Sequence, residues 1–156
     1  THRDAIERVF LIGNRYEFGM SMSPPDLVDP WRTRMVDLRE ACAAEMNYGD
    51  FLDDIGLGPI PEHVYARLFR RADKGRLAVT LLDRRKDDDR TPLTVTIDLA
   101  KVSVGPPGKT MLRRFDGEEV ALQPLVQDHT ITLNLPAFED RVAALLIEVA
   151  PATEEN

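Results

Sequence analysis

A change in hydrophobic period near residue 60 most constrains the fold of this chain. Before it, apolar residues recur at helical spacing, whereas after it most segments alternate apolar and polar residues with period two. Strands of an antiparallel sheet with one buried face show this alternation. The sequence therefore predicts a mainly β fold, an antiparallel β-sandwich of about seven to eight strands that is preceded by a helix–strand–helix piece.

The same change of period predicts four parts of the chain. Residues 1–46 form the helix–strand–helix piece, and residues 47–62 form an apolar connector interrupted by Gly and Pro. Residues 63–150 form the sandwich domain, and residues 151–156 form a polar tail. We expect the connector to pack between the two halves, because its apolar residues do not suit a free linker.

In the first part, the pattern of residues predicts a helix over residues 2–13, a strand over residues 15–20, a loop over residues 21–29 and a helix over residues 30–46. Asp29 and Pro30 suit the N-cap and the first position of the last helix. Apolar residues spaced by three and four positions form one stripe on this helix, and we interpret them as core: Trp31, Met35, Leu38, Cys42 and Met46.

The second part predicts short strands joined by turns. Residues 64–70 and 76–83 form a hairpin, and Asp116-Gly117 marks a second tight turn. The Gly-Pro-Pro-Gly segment at residues 105–108 is expected to be a loop between strands. The other predicted strands are residues 93–99, 111–115, 120–125, 130–135 and 142–149.

Composition and charge argue against several classes of partner. The net charge of −7 argues against a nucleic-acid partner, because phosphate binding needs a basic face. No apolar run is long enough to span a membrane, so a membrane partner is not expected. Cys42 is the only cysteine and lies on the apolar stripe, so we interpret it as a buried thiol, not a nucleophile. The chain does not begin with Met, and we expect it to be part of a longer polypeptide.

No motif in the sequence predicts a catalytic residue, a metal or a cofactor. The run Ser103 to Thr110 ends in Gly-Lys-Thr, but a phosphate loop needs Gly at its first position, and two prolines remove amide donors. His2, His63 and His129 have no metal-ligand spacing to one another or to the cysteine. We therefore expect no bound metal and no cofactor.

One segment of the first part contains candidate substrate contacts. Glu17 lies in the predicted strand just before a long loop, where reactive residues gather in parallel α/β structures. A single carboxylate cannot form the pair that glycoside hydrolysis needs, so it is at most a substrate contact. Met20, Met22 and Trp31 are candidates for a sugar-binding surface beside it, and equally for core residues.

The order of these elements resembles the C-terminal region of (β/α)₈-barrel glycoside hydrolases of the α-amylase and α-galactosidase type. Residues 1–46 resemble the last units of such a barrel. The sandwich segments Phe115-Asp116-Gly117-Glu118, Ile131 to Pro136 and Ala143 to Val149 are also similar. The resemblance implies a C-terminal β-sandwich that packs on the barrel. The catalytic acids of those families lie on earlier barrel strands, so the resemblance transfers no catalytic residue.

The leading hypothesis is a non-catalytic C-terminal portion of a glycoside hydrolase, which braces the catalytic barrel and contributes the loop of residues 21–29 near the sugar site. Its partners are the rest of the parent polypeptide and a carbohydrate. The alternative is a free-standing β-sandwich module that binds carbohydrate or protein. A small complete enzyme is a third hypothesis. The first hypothesis predicts that Phe10, Phe18, Met20 and Trp31 are partly exposed, and the second predicts that they are buried.

Overall fold

The computed structural model describes residues 2–13, 30–86, 88–89, 91–138 and 141–153. These residues form three layers, in which helices cover one face of a larger sheet and a smaller sheet covers its other face. The helices are α1 (His2–Leu11), α2 (Pro30–Ala41) and α3 (Ala43–Tyr48). The predicted mainly β fold with antiparallel sheets and N-terminal helices is confirmed.

The larger sheet has six described strands in the order β1-β2-β3-β9-β5-β6, and the smaller sheet has three in the order β4-β8-β7. Every pairing between neighbouring strands is antiparallel. The strands are β1 (Asp50–Asp53), β2 (Val64–Arg71), β3 (Arg76–Asp83), β4 (Leu93–Asp98), β5 (Val104–Arg114), β6 (Glu119–Leu122), β7 (Leu125–Gln127), β8 (Thr130–Leu135) and β9 (Val142–Pro151).

Alternate residues of the strands build the core between the two sheets. Along β4 and β8, Leu93, Val95 and Ile97 pair with Leu135, Leu133 and Ile131 and are all buried. The central strands β3 and β9 contribute Leu77, Val79, Leu81, Ala143, Leu145 and Ile147 to the same core. We call this side of the six-stranded sheet its sandwich face. Period-two alternation therefore decides which residues of each strand are buried here.

The helices pack on the opposite side of the six-stranded sheet, which we call its helix face. Phe10, Met35 and Leu38 from the helices contact Leu82 and Ala144 of the sheet in a second core. Phe10 is 0% exposed, so its expected partial exposure is wrong. The reason is that α1 lies against the sandwich itself. Trp31 is half-buried, whereas Phe18 and Met20 lie outside the described residues.

Two hydrogen bonds fix the C-terminal end of α1 on the sheet. The buried hydroxyl of Thr80 donates to the carbonyl oxygen of Leu11 at 2.8 Å. The guanidinium of Arg39, itself nearly buried, donates to the carbonyl oxygen of Gly13 at 3.0 Å. The last carbonyls of a helix have no partner within the helix, and Thr80 satisfies one of them at Leu11. Arg39 binds the turn that follows α1.

The predicted helix over residues 30–46 is instead two helices that meet at Cys42. The backbone of Cys42 has φ −104° and ψ 5°, and its amide donates to the carbonyl of Arg39, three residues back, at 3.0 Å. The apolar stripe is nevertheless confirmed as core, because Met35, Leu38 and Cys42 are buried. The break changes the direction of the chain without exposing the stripe.

The segment predicted to be a connector contributes to the sandwich. It supplies edge strand β1, and Leu57 forms an isolated bridge with Ile97 of the smaller sheet. Leu52, Leu57 and Ile60 pack against the core between the sheets. The predicted domain boundaries themselves stay a prediction.

The loop expected at residues 105–108 is wrong, because these residues belong to β5. Pro107 lies opposite Val149, and the register shifts on both sides of it, between Val104 and Pro107 and between Pro107 and Thr110. A shift of register leaves residues without a ladder hydrogen bond, which is where a strand tolerates proline. Pairing with the long strand β9 therefore overrides the local turn signal.

Candidate functional site

A groove of about 510 Å³ lies on the part of the helix face that the helices leave uncovered. Helix α2 forms one wall, and strands β3, β9, β5 and β6 form the floor and the other wall. The residues that line the groove are Asp37, Glu40, Ala41, Arg76, Lys109, Met111, Arg113, Glu119, Leu146, Ile147 and Glu148. A concave surface with an apolar floor and a few polar groups is the usual form of a small-ligand site.

Strand register sets the order of charged and apolar side chains across the groove. Arg76 lies opposite Glu148 on the β3–β9 pair, and Met111 lies opposite Leu146 on the β5–β9 pair. Arg113 lies opposite Glu119 on the β5–β6 hairpin. Because these partners face the same side of the sheet, charged rows lie on both sides of an apolar row.

Two of the three cations in the groove are already paired. Nη1 of Arg113 lies 3.0 Å from Oε1 of Glu119, and Nε of Arg76 lies 3.1 Å from Oε1 of Glu45. Lys109 has no ion pair with any described residue, nor do the groove carboxylates of Asp37 and Glu148. The groove therefore offers free charges of both signs to a ligand.

Glu45 is an unusual carboxylate because it is 1% exposed. The Nε atom of Arg76 is close enough for an ion pair, but neither carboxylate oxygen accepts a well-aligned hydrogen bond within the described structure. A buried ion pair of this kind contributes little net stability, because both ions lose their hydration. Its clear structural effect is to hold Arg76 at the edge of the groove.

Cys42 lies near this pair, and its thiol is unreactive. Burial, and to a smaller extent the negative charge of Glu45, raise the pKa of its thiol to about 12. The thiolate is the reactive form of cysteine, so an almost fully protonated thiol is a poor nucleophile at neutral pH. The predicted buried thiol is confirmed.

Trp31, one of the predicted sugar contacts, is half-buried and packs against neighbouring side chains on the helix face. Its ring centroid lies 6.0 Å from that of Phe115, and the guanidinium carbon of Arg3 lies 5.1 Å from its ring. These contacts anchor α2 on the helix face. Glu17, Met20 and Met22 lie outside the described residues, so the predicted sugar-binding surface stays a prediction.

The groove residues were not singled out by the sequence, apart from Lys109. That lysine belongs to the Gly-Lys-Thr run at residues 108–110, and in the structure it lies in extended strand β5 and lines the groove. Two features of the sequence point to these groove residues. Lys109, Met111 and Arg113 alternate along one strand, and Glu148 is the single carboxylate in an otherwise apolar strand. Alternation shows that such residues share a face, but not which strands lie beside them.

A second surface feature is an exposed apolar strip at the edge of the six-stranded sheet. Tyr48, Phe51 and Ile55 are 74%, 49% and 55% exposed, and they lie within eight residues along and beside edge strand β1. We call these three residues the apolar edge. The ring of Phe51 packs on Phe69 at 5.1 Å, which fixes its position. The guanidinium carbon of Arg71 lies 5.2 Å from the ring of Tyr48. Single exposed apolar residues are ordinary, whereas several in one short segment suit a contact surface.

No group of three or more His, Cys, Asp or Glu side chains in the described ranges is arranged to hold a metal ion. None of the helices described is both long and apolar enough to cross a bilayer.

Comparison with known proteins gives structural likenesses but no match by sequence. No protein-family model matches the sequence, and no curated protein matches it. Among solved structures, the chain is similar to part of α-L-fucosidase isoenzyme 2 from Paenibacillus thiaminolyticus, with a TM-score of 0.45 and 14% identity. The match covers 74% of this chain and 17% of that enzyme.

Proposed function

We propose that this chain is a non-catalytic β-sandwich domain of a longer glycoside hydrolase and that it braces the catalytic domain. The observation that carries the proposal is the apolar edge, formed by Tyr48, Phe51 and Ile55. In this proposal the reactive carboxylates belong to the catalytic domain, and residues 21–29 with Glu17, Met20 and Met22 lie near the sugar.

The surroundings of the apolar edge support a contact with another protein surface. Arg70 pairs with Asp50 at 2.8 Å, and Arg67 pairs with Asp53 at 2.7 Å, on the same two strands. Apolar side chains bordered by ion pairs reproduce the usual arrangement of a protein interface, with an apolar centre and a polar rim. Interfaces between domains of one chain are of this kind.

The order of elements along the chain supports the choice of a glycoside hydrolase. Helices precede an antiparallel sandwich, as the resemblance described for the sequence implies. The helices pack on the sandwich through Phe10 and Leu38, so the sandwich and the helices would move as one body. A rigid body that carries the apolar edge is suited to bracing.

The test removes the apolar edge in the parent polypeptide. Tyr48→Ser combined with Ile55→Ser should lower the thermal midpoint of the catalytic domain and its residual glycosidase activity after heating, because the contact between domains is lost. The same double variant in the isolated chain should leave its own thermal midpoint nearly unchanged, since both side chains are exposed.

The matched control is Leu125→Ser combined with Val126→Ser. These residues are 58% and 55% exposed but lie on the smaller sheet, away from the apolar edge. The control should leave the catalytic domain unchanged. Equal losses from both double variants, or no loss from either, would contradict the bracing role.

A free-standing binding module is the second candidate, and two observations favour it. Phe10 is buried, as a free-standing module predicts. The groove also offers unpaired charged side chains to a ligand. The two candidates differ in the isolated chain. Bracing predicts a hydrophobic dye signal that Tyr48→Ser with Ile55→Ser abolishes. A module predicts no dye signal, together with glycan or peptide binding that Lys109→Ala with Glu148→Ala abolishes.

A further inference from the structure

We propose that a small pocket between α1 and strands β2 and β3 binds a single six-membered ring that carries a carboxylate, and that in this protein the ring is a sugar acid. The choice of a sugar rests on the proposed glycoside hydrolase context. The pocket itself rests on the geometry of Arg8, Tyr65 and Arg84, none of which lines the groove.

The pocket has a volume of about 250 Å³ and is lined by Arg8, Leu11, Tyr65, Leu82 and Arg84. This volume is below the usual range for drug-sized ligands, which begins at about 300 Å³, so one ring fits and an extended chain does not. Leu11 and Leu82 are buried and supply an apolar base. The pocket is therefore distinct in size and chemistry from the groove on the same face of the sheet.

The walls of the pocket are held in place without a ligand. The hydroxyl of Thr80 fixes the Leu11 end of α1, and Tyr65 lies opposite Leu82 on the β2–β3 pair. Arg84 is anchored at its Nη2 atom, which donates to the carbonyl oxygen of Asp4 and to Oε2 of Glu7, both at 3.3 Å. A preformed site loses less entropy when its ligand binds.

Two guanidinium groups keep unused hydrogen-bond donors at this pocket. Nη2 of Arg84 also lies 3.5 Å from Oδ1 of Asp4. All three contacts use Nη2, so no described residue accepts from its Nη1 or Nε atoms. Arg8 makes no ion pair within the described part of the chain. Guanidinium groups donate in a planar fork that matches the two oxygens of a carboxylate. An anionic group is therefore the polar ligand that these donors favour.

Tyr65 supplies a flat surface beside those donors. Tyr65 is 41% exposed and lines the pocket from strand β2, so part of its side chain is available to a ligand. The carbon–hydrogen face of a sugar ring, or the face of an aromatic ring, packs on such an aromatic surface. The polar end of the same ligand then meets Arg8 and Arg84.

The experiment follows the amide signals of the full chain by NMR while D-glucuronate, D-glucose or benzoate is added. Glucuronate should shift the amides of Leu11 and Leu82 saturably. Glucose has the ring without the carboxylate and should bind at least about tenfold more weakly, because it cannot form the charge-assisted pair. Benzoate carries the same charged group on an aromatic ring, so it shows whether the pocket requires a sugar ring.

Two variants test the residues, each with a matched control. Arg8→Ala and Tyr65→Ala should each weaken glucuronate binding about tenfold. The controls are Lys74→Ala, an exposed cation, and Leu125→Ala, an exposed apolar residue of the smaller sheet, and both should bind as the unchanged chain does. Circular dichroism checks that all four variants are folded.

No saturable shift with either carboxylate, or binding that neither Arg8→Ala nor Tyr65→Ala weakens, would overturn the site. Binding of benzoate without glucuronate would support the ring-carboxylate site and overturn the sugar as its ligand. Failure of the bracing role would be seen separately, in the stability of the parent polypeptide, because Tyr48 and Ile55 do not line this pocket.

Discussion

The two faces of the six-stranded sheet are built from the same strands but have different chemistry. On the sandwich face, β3 and β9 present Leu77, Val79 and Leu145 without interruption, all fully buried. On the helix face, β3 runs from Leu82 through Thr80 to Arg76, and its side chains change from apolar to charged along the strand. The sandwich face is apolar throughout, whereas the side chains of the helix face change from apolar to charged along the strand, so we call it graded.

The contrast shows how one sheet can serve both stability and recognition. A uniform apolar face buries the most surface, and this burial is the main driving force for folding. A graded face packs against helices at one end and leaves a groove and a pocket at its margins. Stability should therefore depend mostly on the sandwich face, and binding mostly on the helix face.

The strongest test of this division uses two neighbouring leucines of β9. Leu145→Ala on the sandwich face should lower the free energy of unfolding by about 2–5 kcal/mol, because its fully buried side chain leaves a cavity. Leu146→Ala on the helix face should lower it by at most about half as much, since this side chain is already partly exposed in the groove. Urea denaturation measures both, and equal losses would remove the distinction between the faces.

A smaller effect should follow from loosening the helices on the sheet. Thr80→Val keeps the shape of the side chain but removes the hydroxyl that donates to Leu11, and it should lower the free energy of unfolding by about 1–3 kcal/mol. Hydrogen exchange should show faster exchange in α1 and unchanged exchange in β4 and β8. Faster exchange throughout the sandwich would show that the helical layer and the sandwich are one cooperative unit.

The smallest effect concerns the pH dependence of the helical layer. Burial raises the pKa of Glu7, and the nearby positive charge of Arg84 offsets only part of that rise. A raised folded-state pKa gives stability that is full below the ordinary pKa and is lost as pH rises through the raised value. Glu7→Gln, which is always neutral, should therefore be slightly more stable than the unchanged chain at neutral pH and should lose this advantage in acid.

Thermal unfolding followed across this pH range measures the difference. Glu40→Gln is the control, because Glu40 is exposed and makes no ion pair with a described residue. It should leave the profile unchanged. A Glu7→Gln variant that is less stable than the unchanged chain at neutral pH would show that the ion pair with Arg84 outweighs burial.

The sequence predicts the sandwich well because burial there follows directly from alternation. In β4 and β8, every second residue faces the core, so a local pattern determines a non-local contact. The helix face is harder to predict, since Phe10 and Leu38 are apolar on amphipathic helices that could cover any apolar surface. The sequence therefore gives the helices but not the sheet on which they pack.

The sites were predicted least well, for two physical reasons. The groove joins residues of α2, β3, β5, β6 and β9, which are far apart in the chain, and no local pattern links Arg76 to Glu148. Strand β5 was missed in part because Pro106 and Pro107 are turn formers, whereas register shifts opposite β9 accommodate them in a strand. Both failures arise where tertiary pairing overrides local preference.

Edge strand β1 has a consequence for how this protein can associate with others. Asp53 has a positive φ of 56° at a register shift, and strand β1 is only four residues long. A short, irregular and charged edge is a poor template for an added strand, which protects a sheet from aggregation through its backbone. A partner at this edge must therefore be recognised through side chains, and its affinity can be tuned by substitution without opening a route to fibrils.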